Sequence, residues 1–211
     1  MSGFIITQFR VGEYQTNCYI ILETASNECL IVDPTQETEF IIDQIQKIKG
    51  IPKGIILTHG HFDHMLEVFA LEKLLDVDTW MSQKDESIKD RMKQTAEHFL
   101  GHVVIAVPPQ RLKWMNDIQK IPLGSSYVEI IETPGHTPGG ISIVIPTIGI
   151  IVGDLMFHEG IVGRTDFSYS DKKQLALSIK KILTYPDDYI LYPGHGRLTT
   201  VGFERAFHEN I

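Results

Sequence analysis

The chain has 211 residues, 43% hydrophobic and 22% charged, the balance of a soluble globular protein long enough to bury a core without disulfide staples. Nineteen Lys and Arg against 27 Asp and Glu give a formal charge of −8, which argues against the net basic face that a nucleic-acid or anionic-membrane partner requires. Two cysteines make neither a disulfide framework nor a four-thiolate zinc site, whereas nine histidines stand out.

Met1–Arg10 has no basic leader or long apolar stretch, and no apolar run approaches the roughly 20 residues of a membrane span, so the expected location is the cytoplasm. Short apolar runs at 4–9, 17–23 and 28–32 predict strands, and Asp33-Pro34 ends the third. Cys18 and Cys29 fall in these runs and read as small buried hydrophobes. Residues 37–49 predict a helix, with Phe40, Ile41, Ile45 and Ile48 on one stripe and Gly50 at its left-handed end. A buried strand follows at 54–57, then a helix from His64 to Asp76 and a polar one from Ser82, its expected cap, to Phe99. Residues 100–120 carry no clear signal. Strands are predicted at 127–132, 141–146, 148–152 and 189–192, with a helix over 171–183 capped by Ser170. No linker or low-complexity stretch divides the chain, so residues 1–211 read as one α/β domain with helices outside and sheets packed face to face.

Five histidines occupy three Gly- or Pro-marked turns that follow strands. These turns are Thr58-His59-Gly60-His61-Phe62-Asp63-His64, Pro134-Gly135-His136-Thr137-Pro138-Gly139 and Pro193-Gly194-His195-Gly196; a fourth strand ends in Gly153-Asp154. Strand ends are rigid platforms, and His with Asp on several of them is a metal-site pattern. His59 and His61, two apart, point to one side of an extended segment. Asp63 and His64 are adjacent and diverge, which directs them to a second centre. Together with His136, Asp154 and His195 they make five imidazoles and two carboxylates, too many for one tetrahedral ion and suited to two ions sharing a carboxylate. His98, His102, His158 and His208 lack such context and read as surface or turn residues.

The ordered set THGHFDH, PGHTPG, GD and PGHG resembles the metallo-β-lactamase-fold hydrolases over nearly the whole chain. The resemblance implies a four-layer αββα sandwich with a dinuclear site, zinc first and iron or manganese as alternatives. It implies that His59, His61 and His136 hold one metal, that Asp63, His64 and His195 hold the other, and that Asp154 bridges them. Asp33, in IVDP, matches a position that supports the metal-binding loop. Gly163-Arg164-Thr165-Asp166-Phe167 resembles a segment of glyoxalase II-like hydrolases that persulfide dioxygenases share. His61 stands where flavodiiron proteins carry Glu, and His64 completes a set that class B β-lactamases usually alter. The helical glutathione-binding domain of full-length glyoxalase II has no counterpart before Ile211, and Glu67, where relatives tend to have a small residue, reads as an exposed helix position.

The expected activity is hydrolysis of a small-molecule thioester, such as S-lactoylglutathione, by a hydroxide generated at the metals. Asp63 would ligate and orient that hydroxide. Thioesters suit a site without a separate general acid, because the leaving thiol has a pKa near 8.5. Arg164 would bind a substrate carboxylate or, alternatively, pair with Asp166. The rival activity is a mononuclear iron persulfide dioxygenase using His59, His136 and Asp154.

Overall fold

Alternating burial in the early strands determines the layering. The structure, a computed structural model, describes residues 3–115 and 119–208, so both ends of the expected 1–211 domain lie outside the described residues. Strands β1 (Phe4–Val11), β2 (Thr16–Glu23), β3 (Glu28–Val32), β4 (Ile51–Ile56), β5 (Thr79–Ser82) and β6 (Leu112–Met115) form one sheet in sequence order. Its first two pairings are antiparallel and the remaining three parallel. The second sheet runs β12 (Thr199–Thr200), β11 (Ile190–Pro193), β10 (Gly149–Gly153), β9 (Ile141–Ile145), β8 (Ser126–Glu132), β7 (Gln119–Leu123), with only β10 and β11 parallel.

All eight residues of β2 are buried. Because side chains alternate across a strand, Cys18, Ile20 and Leu22 join the core beneath the first sheet's helices, while Tyr19 and Ile21 join the core between the sheets. In β10, Ile151 faces the other sheet and Ile150 and Val152 face the opposite way. Strands buried on both faces need a layer on each side, and the result is the expected αββα sandwich. Each fully buried Ile contributes about 1.5–3 kcal/mol relative to an exposed one.

The helices are α1 (Thr38–Lys47), α2 (Val68–Leu75), α3 (Glu86–Lys89), α4 (Met92–Leu100), α5 (Lys172–Ile182) and α6 (Val201–Arg205). Several expectations are corrected here. Lys49, with φ 54°, takes the left-handed turn after α1 instead of Gly50. The helix expected from His64 begins only at Val68, because Phe62–His64 forms a separate 3-10 turn. The helix expected over 82–99 is broken into a 3-10 turn at Gln83–Asp85 plus α3 and α4. Asp171 caps α5 by accepting the N–H groups of Lys173 and Gln174, while Ser170 turns away to donate to the His136 carbonyl at 2.7 Å. β5 was hidden between two helical signals, and the unassigned stretch 100–120 supplies β6 and the start of β7. Among the described residues no helix is long and apolar enough to cross a membrane.

Candidate metal centre

Loops leaving β4, β8, β10 and β11 meet at one edge of the sandwich. That edge is tied across the sheets by Ile141 N–H to the Thr58 carbonyl (2.9 Å) and Asn17 N–H to the Gly194 carbonyl (2.7 Å). Tyr19 Oη donates to the Pro193 carbonyl at 2.6 Å, fixing the approach to His195.

The structure brings all seven expected ligand-type residues together. His61 Nδ1 lies 3.0 Å from both His59 Nε2 and His136 Nε2. Asp63 Oδ2 lies 3.3 Å from His195 Nε2 and 3.8 Å from His64 Nε2. Asp154 stands between the two groups, 3.7 Å from His136 Nε2 and from His195 Nε2 through Oδ2, and 3.6 Å from His64 Nε2 through Oδ1. Among the described residues three sets have donor atoms within 4.8 Å of one another: His59, His61, His136; His59, His64, Asp154; and Asp63, His64, His195. Asp63 and His64 do not diverge as in an extended chain, since the 3-10 turn swings both toward His195.

The partner on the far nitrogen of each ring assigns its tautomer. His136 Nδ1 donates to the Arg164 carbonyl at 2.9 Å, and His195 Nδ1 to the Tyr14 carbonyl at 3.1 Å. His59 Nδ1 meets Thr58 Oγ1 at 3.0 Å, and that hydroxyl donates to Asp33 Oδ2 at 2.6 Å. His64 Nδ1 pairs with Asp33 Oδ2 at 2.9 Å, and His61 Nε2 meets Tyr169 Oη at 2.7 Å. His59, His136 and His195, whose Nδ1 atoms donate outward, turn an unprotonated Nε2 toward the centre when neutral. Three ring nitrogens crowded to 3.0 Å need a proton or a metal ion among them. His64 Nε2 and Asp154 Oδ1 are both buried without a hydrogen-bond partner, which is what a cation between them would satisfy. The donor set of imidazole and carboxylate fits a divalent metal.

The site's own charges set the protonation of these rings, and a metal at His64 Nε2 would have to displace a proton. Burial opposes charge on His64, but the carboxylates of Asp33, Asp154 and Asp63 outweigh it and push His64 up to about 10. Burial, reinforced by His136, pushes His61 down to about 3, and burial also holds His59 well below its ordinary value. For Asp63 burial acts upward, yet His64 and His195 hold its carboxyl below the usual range.

Asp33, with φ 51°, also accepts the Thr58 N–H at 2.8 Å, so one buried carboxylate orients both His59, through Thr58, and His64. Arg164 forms a fork with Asp166 (2.9 and 2.7 Å) and stacks over Phe167 at 4.6 Å, so the alternative ion pair is present. Arg164 also lines the chamber of about 270 Å³ above Asp63, Asp154 and His195. His98 lies outside the cluster, as expected, but edges a neighbouring cavity, and His208 is buried instead of on the surface.

Three residues in the site carried no sequence signal. Asp85 is fully buried, and its carboxylate accepts the N–H of Gly60 at 2.8 Å and of Gly139 at 2.6 Å, joining the His61 loop to the His136 loop. A Cβ at Gly60 would lie 2.9 Å from Asp85 Cβ, and one at Gly139 would lie 2.7 Å from its Cγ, so both glycines permit this approach. Tyr169 contacts His61, and Tyr14 holds His195 through its carbonyl. Glu67 is not an exposed helix position: its carboxylate accepts the Thr38 N–H at 3.0 Å and the Thr38 hydroxyl at 2.8 Å, capping α1.

The family model of the metallo-β-lactamase superfamily matches residues 11–195. Hydroxyacylglutathione hydrolase GloC of Haemophilus influenzae is 36% identical over 199 residues, covering 92% of each chain. The crystal structure of BLEG-1 B3 metallo-β-lactamase superposes with a TM-score of 0.85 at 30% identity, over 96% of this chain and 97% of that one. TTHA1623 in a di-iron-bound form gives 0.83 at 30% identity, over 95% and 96%. The αββα layers, the convergent His and Asp cluster and a family match running from the end of β1 to His195 have one reading: the chain belongs to the metallo-β-lactamase superfamily.

Proposed function

We propose that this protein is a dinuclear metal-dependent hydrolase that cleaves hydroxyacyl thioesters of small thiols, with S-lactoylglutathione as the first substrate to test. The observation that carries this reading is the convergence of seven imidazole and carboxylate groups around the unpartnered His64 Nε2 and Asp154 Oδ1. His59, His61 and His136 would hold one metal, Asp63, His64 and His195 the other, and Asp154 would bridge them. Zinc is the first candidate, and the di-iron form of TTHA1623 keeps iron beside it. Bound there, two divalent cations supply water activation near neutral pH and Lewis acidity toward a developing oxyanion.

The protein's own groups do the rest. Asp63 lines the chamber, and its carboxylate can accept a hydrogen bond from the attacking water, setting its direction. Asp33 holds His64, and through Thr58 also His59, in the ligating tautomer. Tyr169 Oη does the same for His61. Arg164 lines the chamber and offers a substrate the N–H groups left free by Asp166. Among the described residues no lysine lines the chamber, and burial pushes the Tyr169 phenol up to about 12, a weak proton donor, which favours a leaving group that departs as a thiolate. The GloC relative, named a hydroxyacylglutathione hydrolase, supports the same substrate class.

The test pairs elemental analysis of the purified protein with thiol release from S-lactoylglutathione. Two metals per chain and thioester cleavage are expected. One iron per chain, oxygen uptake with glutathione persulfide and no thioester cleavage would replace this reading with the dioxygenase. Turnover of a β-lactam in place of the thioester would move it toward the BLEG-1 activity.

A further inference from the structure

Past His61 the chamber opens into a second cavity of about 570 Å³, between the Phe167–Tyr169 segment and the face of α3 and α4. This volume falls in the range of about 300–1,000 Å³ usual for small-molecule sites. The two spaces share His61, Phe62, Phe99, Phe167 and Tyr169, so they form one continuous groove leading away from the metal-ligand cluster. Its aromatic lining comes in two stacked pairs, Phe62 on Phe99 with centroids 6.1 Å apart and Phe167 on Tyr169 at 5.3 Å. Its far side is polar. Ser87 of α3, Arg91 at the start of α4, and Gln94 and His98, four apart along α4, line it.

Among the described residues no carboxylate lines this outer cavity, although the chain carries a net charge of −8. Among the described residues no carboxylate stands within ion-pair distance of Arg91, whereas the guanidinium of Arg164 is already engaged by Asp166. An unpaired guanidinium lining an aromatic slot is a receptor for an anion carried on an apolar or amide stem.

We infer that the outer cavity is the subsite for the thiol-carrier half of the substrate, and that Arg91 binds a carboxylate at the far end of that carrier. The inference rests on the thioesterase reading above and deepens it. A peptide-like thiol matches each part of the groove. Its sulfur lies at the His61 neck, its methylene and amide stem lies along the aromatic pairs, its amides meet Ser87 and Gln94, and its terminal carboxylate meets Arg91. In this chain α3 and α4 therefore supply carrier recognition from within the sandwich itself. A phosphate-bearing carrier shares the anionic end but is bulkier, and the experiment separates the two.

Two measurements on the metal-loaded protein decide the matter. The first is calorimetric binding of S-hexylglutathione, a thioether that is not cleaved, to wild type, Arg91→Gln and Arg91→Lys. Arg91→Gln is expected to weaken binding about tenfold, the effect of losing one charge-assisted hydrogen bond at a partly wet site, with Arg91→Lys in between. The second is KM for S-lactoylglutathione, for S-lactoyl-N-acetylcysteamine, which lacks the carboxylate, and for lactoyl-coenzyme A. Arg91→Gln should raise KM for the first and not for the second. If wild type binds S-hexylglutathione through Arg91 but cleaves no thioester, the subsite stands and the thioesterase reading falls. If thioester cleavage is present but binding and KM are the same in all three proteins, the thioesterase reading stands and the subsite is overturned. A lower KM for lactoyl-coenzyme A than for S-lactoylglutathione also overturns the carboxylate assignment.

Discussion

Removing the carboxylate of Asp85 should loosen both loops that carry the His59, His61 and His136 cluster. Asp85 is fully buried and accepts two backbone N–H groups, Gly60 at 2.8 Å and Gly139 at 2.6 Å. Gly60 lies between His59 and His61, and Gly139 closes the turn that presents His136. Asp85→Ala leaves both donors in the interior without an acceptor, at about 1–3 kcal/mol each. Burial also raises the pKa of Asp85, so the charged form carries a desolvation cost that its removal relieves. The net loss is therefore placed in the lower part of the summed range, about 2–4 kcal/mol. Asp85→Asn keeps the volume and one acceptor oxygen but turns an amide NH2 toward the other donor, for a loss of about 1–3 kcal/mol.

Urea unfolding measures this loss, and competition with a chromogenic chelator measures metal affinity. His61 Nδ1 meets His59 Nε2 and His136 Nε2 at 3.0 Å only while the loops stay in register, so metal affinity should fall about 10–100-fold in both variants. Glu72→Gln is the control. Glu72 is an equally buried carboxylate that accepts the Thr79 hydroxyl and the N–H groups of Gln110 and Arg111, away from the site. It should lose stability and keep metal affinity. Wild-type metal affinity in Asp85→Asn, or the same affinity loss in Glu72→Gln, would refute the assignment of Asp85 as the clamp between the loops.

Asp154→Ala should lower metal content and abolish turnover, while His98→Ala leaves metal content unchanged; equal metal loss in both would contradict the division of the histidines. Asp33→Ala frees His64 Nδ1 and the Thr58 N–H together, and chelator competition should show metal affinity lower by about 10–100-fold. Gly194→Ala would drive a Cβ into Asp154 Oδ1 and to 2.9 Å from His64 Cε1, so elemental analysis should find metal depleted in a protein whose circular dichroism is unchanged. Burial pushes the Cys29 thiol up to about 12 and that of Cys18 higher still, so iodoacetamide at pH 8 should label neither in the native protein by mass spectrometry and both after unfolding.

The parts of this protein visible in its sequence are those in which one physical rule acts locally. Period-2 apolarity marked β2 and β3, and turn-forming Gly and Pro marked the three loops that deliver His59, His136 and His195. Two kinds of feature were hidden. One is short structure inside polar sequence. Residues 82–99 have the composition of a single helix, yet Asp85 must face the two glycine loops, and the chain breaks into a 3-10 turn and two helices to let it do so. The other is polar contact across long sequence separations, as with Glu67 capping α1 at Thr38 or Tyr14 holding His195 from 181 residues away. Composition cannot distinguish such a carboxylate from a solvated one. Asp85 and Arg91 lie six residues apart in a stretch that looks like ordinary charged surface. One is fully buried and braces the ligand loops, and the other stands unpaired over a cavity. The break in the helix lies between them: an unbroken helix through 82–99 would fix positions six apart at about 120° around its axis, whereas the 3-10 turn and the break before α4 let Asp85 enter the loops while Arg91 lines the cavity.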